Sequence, residues 1–451
     1  MTDFAGRVLR SGQPDWIIRS LLDVDFYKFT MGYFIHRFHP GVQVKFSLIN
    51  RHTQIPLADI IDEQELRAQL DHVRTLRVDR TNIYYLRGMD VYGERMFSEE
   101  FLSFLGKLQL PPYELRRIEN QYELTFEAPW EEVTWWETIA LAIISELFYR
   151  KLMQTMTSTE LRILYARATD KLYNKLKIIK RNGNIRFACF AQRRRHSHLW
   201  QKFAIEMAHE VLDSQFAGTS NTWMAFNQDL TPIGTNAHEL PMVLTALAPS
   251  DEEKRMAQYK VLEEWGACFP NQGLRIMLPD TYGSAQFFEG MPKDLAHSIA
   301  HTWRGMRQDS GKVFEEGERY MKWLWSHKAN PAERLFIPSD GLDVGSMIEI
   351  DQRLGRDMNI SNGWGTKFAN DFEGCHPHGG EFAVVNGVHL PLTNDALFRG
   401  HSIVCKVVSA NGNPAVKLSN NVNKATGPRD EVDRYLSIFG HKGRGAQEVI
   451  V

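Results

Sequence analysis

From about residue 185 the chain repeats one pattern: a short apolar run, a turn of small, polar or glycine residues, then a helical stretch. The runs are residues 185–190, 231–235, 274–280, 335–340 and 358–363. Strands separated by helices must lie parallel, so the pattern restricts this part to a parallel α/β sheet or barrel. The polar residues gather just after the apolar runs, where both architectures build their sites.

The rest of the chain reads differently. Residues 42–48 are strand-like, 62–74 are charged and helical, and 122–127 alternate as a strand with one wet face does. Residues 135–151 read as a buried helix. Near the end, residues 402–409 and 414–418 flank Asn411-Gly412, a hairpin signal. An antiparallel piece does not belong to a parallel barrel, so the C-terminal segment is expected to fold back onto the N-terminal domain. This gives an N-terminal α/β domain (1–140), an α/β barrel (141–375) and a returning segment (376–451).

Charge and cysteine content narrow the function. Lysine and arginine number 53 against 55 acids, which excludes wholesale coating of a nucleic acid and means that an anion must be gripped locally. The four cysteines lie far apart without a CxxC spacing and read as reduced thiols. Residues 1–16 lack the apolar core of a signal peptide, and the longest apolar run, 139–144, is far shorter than the ~20 residues needed to span a bilayer. A cytoplasmic protein with no membrane partner is expected. Residues 375–378, Cys-His-Pro-His, read as a surface loop, because no acid or cysteine cluster completes a metal site.

Five constellations carry chemistry. Gly363-Trp364-Gly365-Thr366 lets backbone N–H groups approach a phosphate, with the next helix N-terminus adding positive potential; a plain tight turn is the alternative. Ser339-Asp340-Gly341 offers a carboxylate to ribose hydroxyls or magnesium, or simply caps a helix. Arg307 and Asp309 pair an arginine for an anion with an aspartate for a sugar or a developing cation, or form a salt-bridged loop. Arg193-Arg194-Arg195 follows the run carrying Phe190, where one arginine can point inward at an anion; a solvated face is the alternative. His238 follows residues 231–235, a position suited to nucleophilic or acid–base work, with a structural histidine as the alternative.

In this order and at these spacings, the motifs resemble the nicotinate phosphoribosyltransferase family, a type II phosphoribosyltransferase family. Further matches are residues 21–31, Gly218-Thr219-Ser220-Asn221, residues 232–241 and Pro279-Asp280-Thr281-Tyr282-Gly283. The resemblance implies an irregular (β/α) barrel with an N-terminal α/β domain, in a homodimer with shared active sites. It also implies the reaction: nicotinate attacks phosphoribosyl pyrophosphate, pyrophosphate leaves, and ATP hydrolysis through a phosphohistidine drives the equilibrium, with magnesium present. By motif position, His238 matches the phosphorylated histidine. Tyr27 matches an aromatic donated by the neighbouring subunit, and Phe190 its stacking partner. Arg193 and Arg307 match anion-binding arginines, Asp309 and Asp340 the ribose and metal side, and Asp280 a residue near magnesium pyrophosphate. Gly363, Gly365 and Thr366 match the phosphate loop. Ser220 stands where the nicotinamide-using relatives carry an aspartate; a neutral donor favours the acid over the amide.

The chain departs from the family around Phe190. Cys189-Phe190-Ala191-Gln192 replaces the usual acid-Phe-Gly-Thr, and Ala191 adds a Cβ where close backbone approach is expected. The alternative readings are transfer to nicotinamide or another pyridine carboxylate, and a non-catalytic ligand-binding member of the family.

Overall fold

The computed structural model describes residues 15–90, 92–93, 95–385 and 387–447. Helix α1 (Tyr27–Phe38) precedes strands β1 (Gln43–Asn50), β2 (Tyr113–Ile118) and β3 (Gln121–Pro129). Helix α2 (Trp136–Gln154) is buried on every side from Trp136 to Tyr149, as an apolar all-round helix must be. Its two buried acids are paired: Glu137 with Lys28 at 2.7 Å, and Glu146 with Arg150 at 2.8 Å. Helix α3 (Ser158–Arg181) starts at a capping box formed by Thr157 and Glu160.

Seven short parallel strands follow: β4 (Phe187–Cys189), β5 (Phe216–Thr219), β6 (Ile276–Met277), β7 (Gly305–Gln308), β8 (Leu335–Pro338), β9 (Asn359–Ile360) and β10 (Asn362–Trp364). They pair in two arcs, β10-β4-β5 and β6-β7-β8-β9. The arcs join where β9 runs into β10. Opposite, β5 bridges to Pro232 and the Asn236 amide donates to the Ile276 carbonyl of β6 at 3.2 Å. The result is an irregular barrel whose interior is ringed by strand side chains.

Residues 231–235, expected as a strand, contribute only that single bridge. Pro232 has no N–H to give, and Gly234 at φ 157° bends the chain away. The approach is close: a Cβ on Gly218 (φ 128°) would lie 2.3 Å from the Thr231 carbonyl oxygen. Helix α4 (Glu239–Leu247) then leads away, with His238 as its N-cap residue.

After the barrel come the hairpin β11 (Phe382–Val385) and β12 (Val388–Thr393), then β13 (Ile403–Ala410) and β14 (Asn413–Pro414). β13 pairs antiparallel with β1 from Val44↔Ala410 to Asn50↔Ile403, giving the sheet order β14-β13-β1-β3-β2. The returning segment therefore completes the N-terminal sheet. Asn411 (φ 45°) and Gly412 (φ 79°) form the expected turn, although its second arm is only two residues long. Residues 375–378 correct the surface-loop expectation. Cys375 and His376 are buried, and only His378 reaches out, to Glu160 at 2.9 Å. No metal-holding cluster forms there among the described residues. Among them too, no helix is long and apolar enough to cross a membrane.

Two core histidines set an acid limit on stability. His196 stacks on Phe372 with centroids 3.7 Å apart, and His401 packs against Phe148 at 4.6 Å. Burial pushes both down to about 3. The unfolded chain binds these protons from about pH 6.5 while the folded chain does not, so stability falls as pH falls from about 6.5. Each group contributes up to about 1.4 kcal/mol per pH unit over that window. Thermal melts from pH 7 to 4 are expected to fall less steeply in His196→Phe and His401→Phe. Parallel curves would refute the account.

Candidate active site

The C-terminal ends of the barrel strands face the returning segment across a cleft of about 130 Å³. Eight cations line it: Arg51 after β1, Arg193 and Arg194 after β4, Arg307 in β7, Lys367, Lys406 in β13, and Lys417 and Lys424 beyond β14. Only Asp309 and Asp340 oppose them in the lining. A chain of net charge −2 has thus concentrated positive potential in one place, the local grip that its composition demanded.

Phe190, Gly363, Gly365 and Thr366 form the remaining wall with Ser339. A Cβ on Gly363 would stand 3.0 Å from Ser339 Cβ and 3.4 Å from the Phe190 ring, so glycine keeps this wall open. The helix after Gly365 is a single turn (Thr366–Ala369). A helix start does follow the glycines as anticipated, but so short a helix adds little to the positive potential of the surrounding side chains.

Asp309 follows β7 at the centre. Its Oδ2 lies 3.0 Å from His238 Nε2 and 3.9 Å from Lys417 Nζ, and its Oδ1 accepts from Ser339 Oγ at 3.3 Å. Burial works to raise Asp309, but the His238 hydrogen bond and Arg307 outweigh it and hold the carboxyl well below its usual range. His238 Nδ1 meets Thr281 Oγ at 2.9 Å. The arrangement that satisfies both ring nitrogens has Nε2–H donating to Asp309 and Nδ1 accepting from Thr281. Burial, then Lys417, pushes His238 down to about 4, so the ring is neutral near pH 7. Asp280 sits behind, its Oδ2 accepting from Ser310 Oγ at 2.5 Å. Its Oδ1 is buried without a hydrogen-bond partner among the described residues, 3.8 Å from His238 Nε2. Asp340 is paired with Lys424. Burial brings Lys417 down to about 8 against the pull of Asp280 and Asp309.

Ten of the twelve residues singled out from the sequence therefore converge here, eight in the lining and His238 and Asp280 just behind it. Tyr27 and Ser220 do not line the cleft. Tyr27 is buried in α1, its hydroxyl donating to Glu137 at 3.1 Å of the same chain. Ser220 is buried, its hydroxyl donating to Asp25 Oδ1 at 2.5 Å. An aspartate at 220 would press a second carboxylate against Asp25, which burial already raises. Ser220→Asp is accordingly expected to lose about 3–5 kcal/mol in denaturant unfolding. An unchanged midpoint would sink this placement.

The unusual Cys189-Phe190-Ala191-Gln192 stretch is accommodated. Gln192 is fully buried and satisfied: Nε2 donates to the Asp23 carbonyl at 2.8 Å, while Oε1 accepts from Arg195 at 2.9 Å and from Asn221. Arg195 in turn forks onto Asp23 at 2.9 and 3.0 Å. Of the three consecutive arginines, one is structural and two face the cleft.

Sequence reading missed Arg51, Lys367, Lys406, Lys417 and Lys424. Lys406 and Lys417 did carry a signal: each interrupts an apolar run, Ile403-Val404-Cys405 to Val407-Val408 and Ala415-Val416 to Leu418. Lysine so placed is rarely buried without a partner or ligand.

The model of the nicotinate phosphoribosyltransferase family matches residues 185–386, and that of the family's N-terminal domain matches residues 22–145. The chain is similar to the crystal structure of nicotinate phosphoribosyltransferase from Vibrio cholerae, with 28% identity and a TM-score of 0.78 over 94% of each chain. It shares its fold with nicotinate phosphoribosyltransferase from Porphyromonas gingivalis, at 23% identity and TM-score 0.77 over 94% of this chain and 100% of that one. A Saccharomyces cerevisiae protein gives 23% and 0.78 over 95% and 99%.

Proposed function

Since this chain belongs to the nicotinate phosphoribosyltransferase family, we propose that it makes nicotinate mononucleotide and pyrophosphate from nicotinate and phosphoribosyl pyrophosphate, coupled to ATP hydrolysis. The observation that carries the reading is the convergence of eight cations on Asp309 and Asp340 beside Phe190. Arginines and lysines at that density suit a substrate carrying a phosphate and a pyrophosphate on one sugar.

In the transfer step the pyridine nitrogen forms a bond to the anomeric carbon as the carbon–oxygen bond to pyrophosphate breaks. The ring carbon gains positive charge, which the fixed, ionised Asp309 stabilises, while Arg193, Arg307 and the lysines take up the charge on the leaving pyrophosphate. Phe190 offers a flat face to the pyridine ring. Asp280 Oδ1, buried and unpartnered, and the nearby Asp309 carboxylate are oxygen donors that fit magnesium, which when bound supplies further charge against pyrophosphate. His238, neutral and hydrogen-bonded to Asp309, is the group that accepts the γ-phosphoryl of ATP: the bond to the leaving ADP breaks, a phosphorus–nitrogen bond forms at the ring nitrogen that carries no proton, and the other nitrogen keeps its proton, held by the ionised Asp309 as the ring becomes positive. The family resemblance further supports a homodimer, which sedimentation of the purified protein tests.

The direct experiment supplies phosphoribosyl pyrophosphate and magnesium, with and without ATP, and compares nicotinate with nicotinamide. Mononucleotide from nicotinate, stimulated by ATP, is the expected result. Preferential turnover of nicotinamide overturns the substrate assignment, and no product from either overturns the reaction.

A further inference from the structure

Beneath the cleft lies a buried charged array that the transfer step does not use. Lys28 of α1, fully buried, stands between two carboxylates: Glu137 at 2.7 Å and Glu239 at 2.6 Å. Glu239 also accepts from Trp130 Nε1 and Thr134 Oγ1, each at 2.6 Å, and is the first residue of α4, directly after His238.

The two oxygens of Glu137 divide their work. Oε2 faces inward, 2.7 Å from Lys28 Nζ and accepting from the Tyr27 hydroxyl at 3.1 Å. Oε1 faces the cleft, 3.5 Å from Lys406 Nζ and 3.6 Å from Arg193 Nη1. Those last separations are longer than ordinary hydrogen bonds. Lys406 and Arg193, whose Nε also faces Asp25 Oδ2 at 3.9 Å, are thus drawn into place electrostatically, at separations that leave their N–H groups able to turn to an anion. They come from different parts of the chain, β13 and the turn after β4, so their shared anchor fixes the spacing between them. Lys28, Lys406 and Arg193 together outweigh burial and keep Glu137 ionised.

We propose that Glu137 is a positioning residue for phosphoribosyl pyrophosphate: clamped by Lys28, its carboxylate holds Arg193 and Lys406 at the spacing that the phosphate-bearing substrate requires. Through the same ammonium, Glu239 is fixed at the start of α4, so the anion grip and His238 share one buried mount. This inference rests on the proposed reaction and names the part of the chain that sets affinity for one of its substrates.

The test measures KM for phosphoribosyl pyrophosphate and for nicotinate separately, with kcat, in wild type and Glu137→Gln. Thermal melts establish that each protein is folded. Loss of the anchor is expected to raise KM for phosphoribosyl pyrophosphate about tenfold while KM for nicotinate stays within about twofold. Glu137→Asp retains the charge on Lys28 but draws it back from the cleft; an intermediate rise is expected, and this variant carries the test if Glu137→Gln does not fold. An unchanged or lowered KM for phosphoribosyl pyrophosphate in a folded variant overturns the proposal, as does an equal rise in both constants. Inactive wild type would instead overturn the reaction itself, so the two failures are distinguishable.

Discussion

Asp309→Asn is expected to lower kcat of the proposed transfer by about 10²–10³-fold, equivalent to about 2.7–4 kcal/mol of lost transition-state stabilisation. The substitution preserves shape and the contact with Ser339 while removing the ionised carboxylate that faces His238, Arg307 and Lys417. Because positive charge on the sugar develops in the transition state, the loss should fall on kcat more than on either KM. The measurement is initial-rate kinetics at saturating phosphoribosyl pyrophosphate and nicotinate. A loss confined to KM would mean that Asp309 only binds ground-state substrate.

On the proposed coupling, His238→Ala is expected to lower ATP hydrolysis by about 10³-fold or more, since no other imidazole lies beside Asp309 among the described residues. The ATP-driven gain in product should vanish with it, leaving a slower transfer that ATP does not stimulate. The cleft cations and Phe190 do not depend on the ring, so both transfer substrates still bind. Product and phosphate release, each followed with and without ATP, decide the matter. Equal stimulation in variant and wild type would remove His238 from the phosphoryl path.

The barrel was legible because its strands carry their own punctuation. Residues 335–340 and 358–363 end in turn residues and are separated by helical patterns, and local signals of that kind survive folding. The site residues at strand ends were legible for the same reason. What failed was what depends on distance. Nothing local announces that Lys406 lies beside Arg193, because that proximity exists only once β13 has paired with β1. Tyr27 and Ser220 show a complementary effect of distance. Their motifs were recognised, yet the resemblance could not reveal that Glu137 and Asp25 take up their hydroxyls inside this chain. Residues 231–235 looked like a strand on apolar content alone; they pair with β5 around Pro232, which has no N–H to offer a strand on its other side.

The pairing of β13 with β1 also orders events in time. A ribosome adding about 5–20 residues per second delivers β13 roughly 20–70 s after β1 has emerged. Through that interval β3 can cover one side of β1, while the other remains an open edge inviting pairing with a second nascent chain. Arg51, anchored at the end of β1, likewise waits for Lys406, Lys417 and Lys424. The capacity to hold the phosphate-bearing substrate is therefore acquired only when the late strand seals the early one.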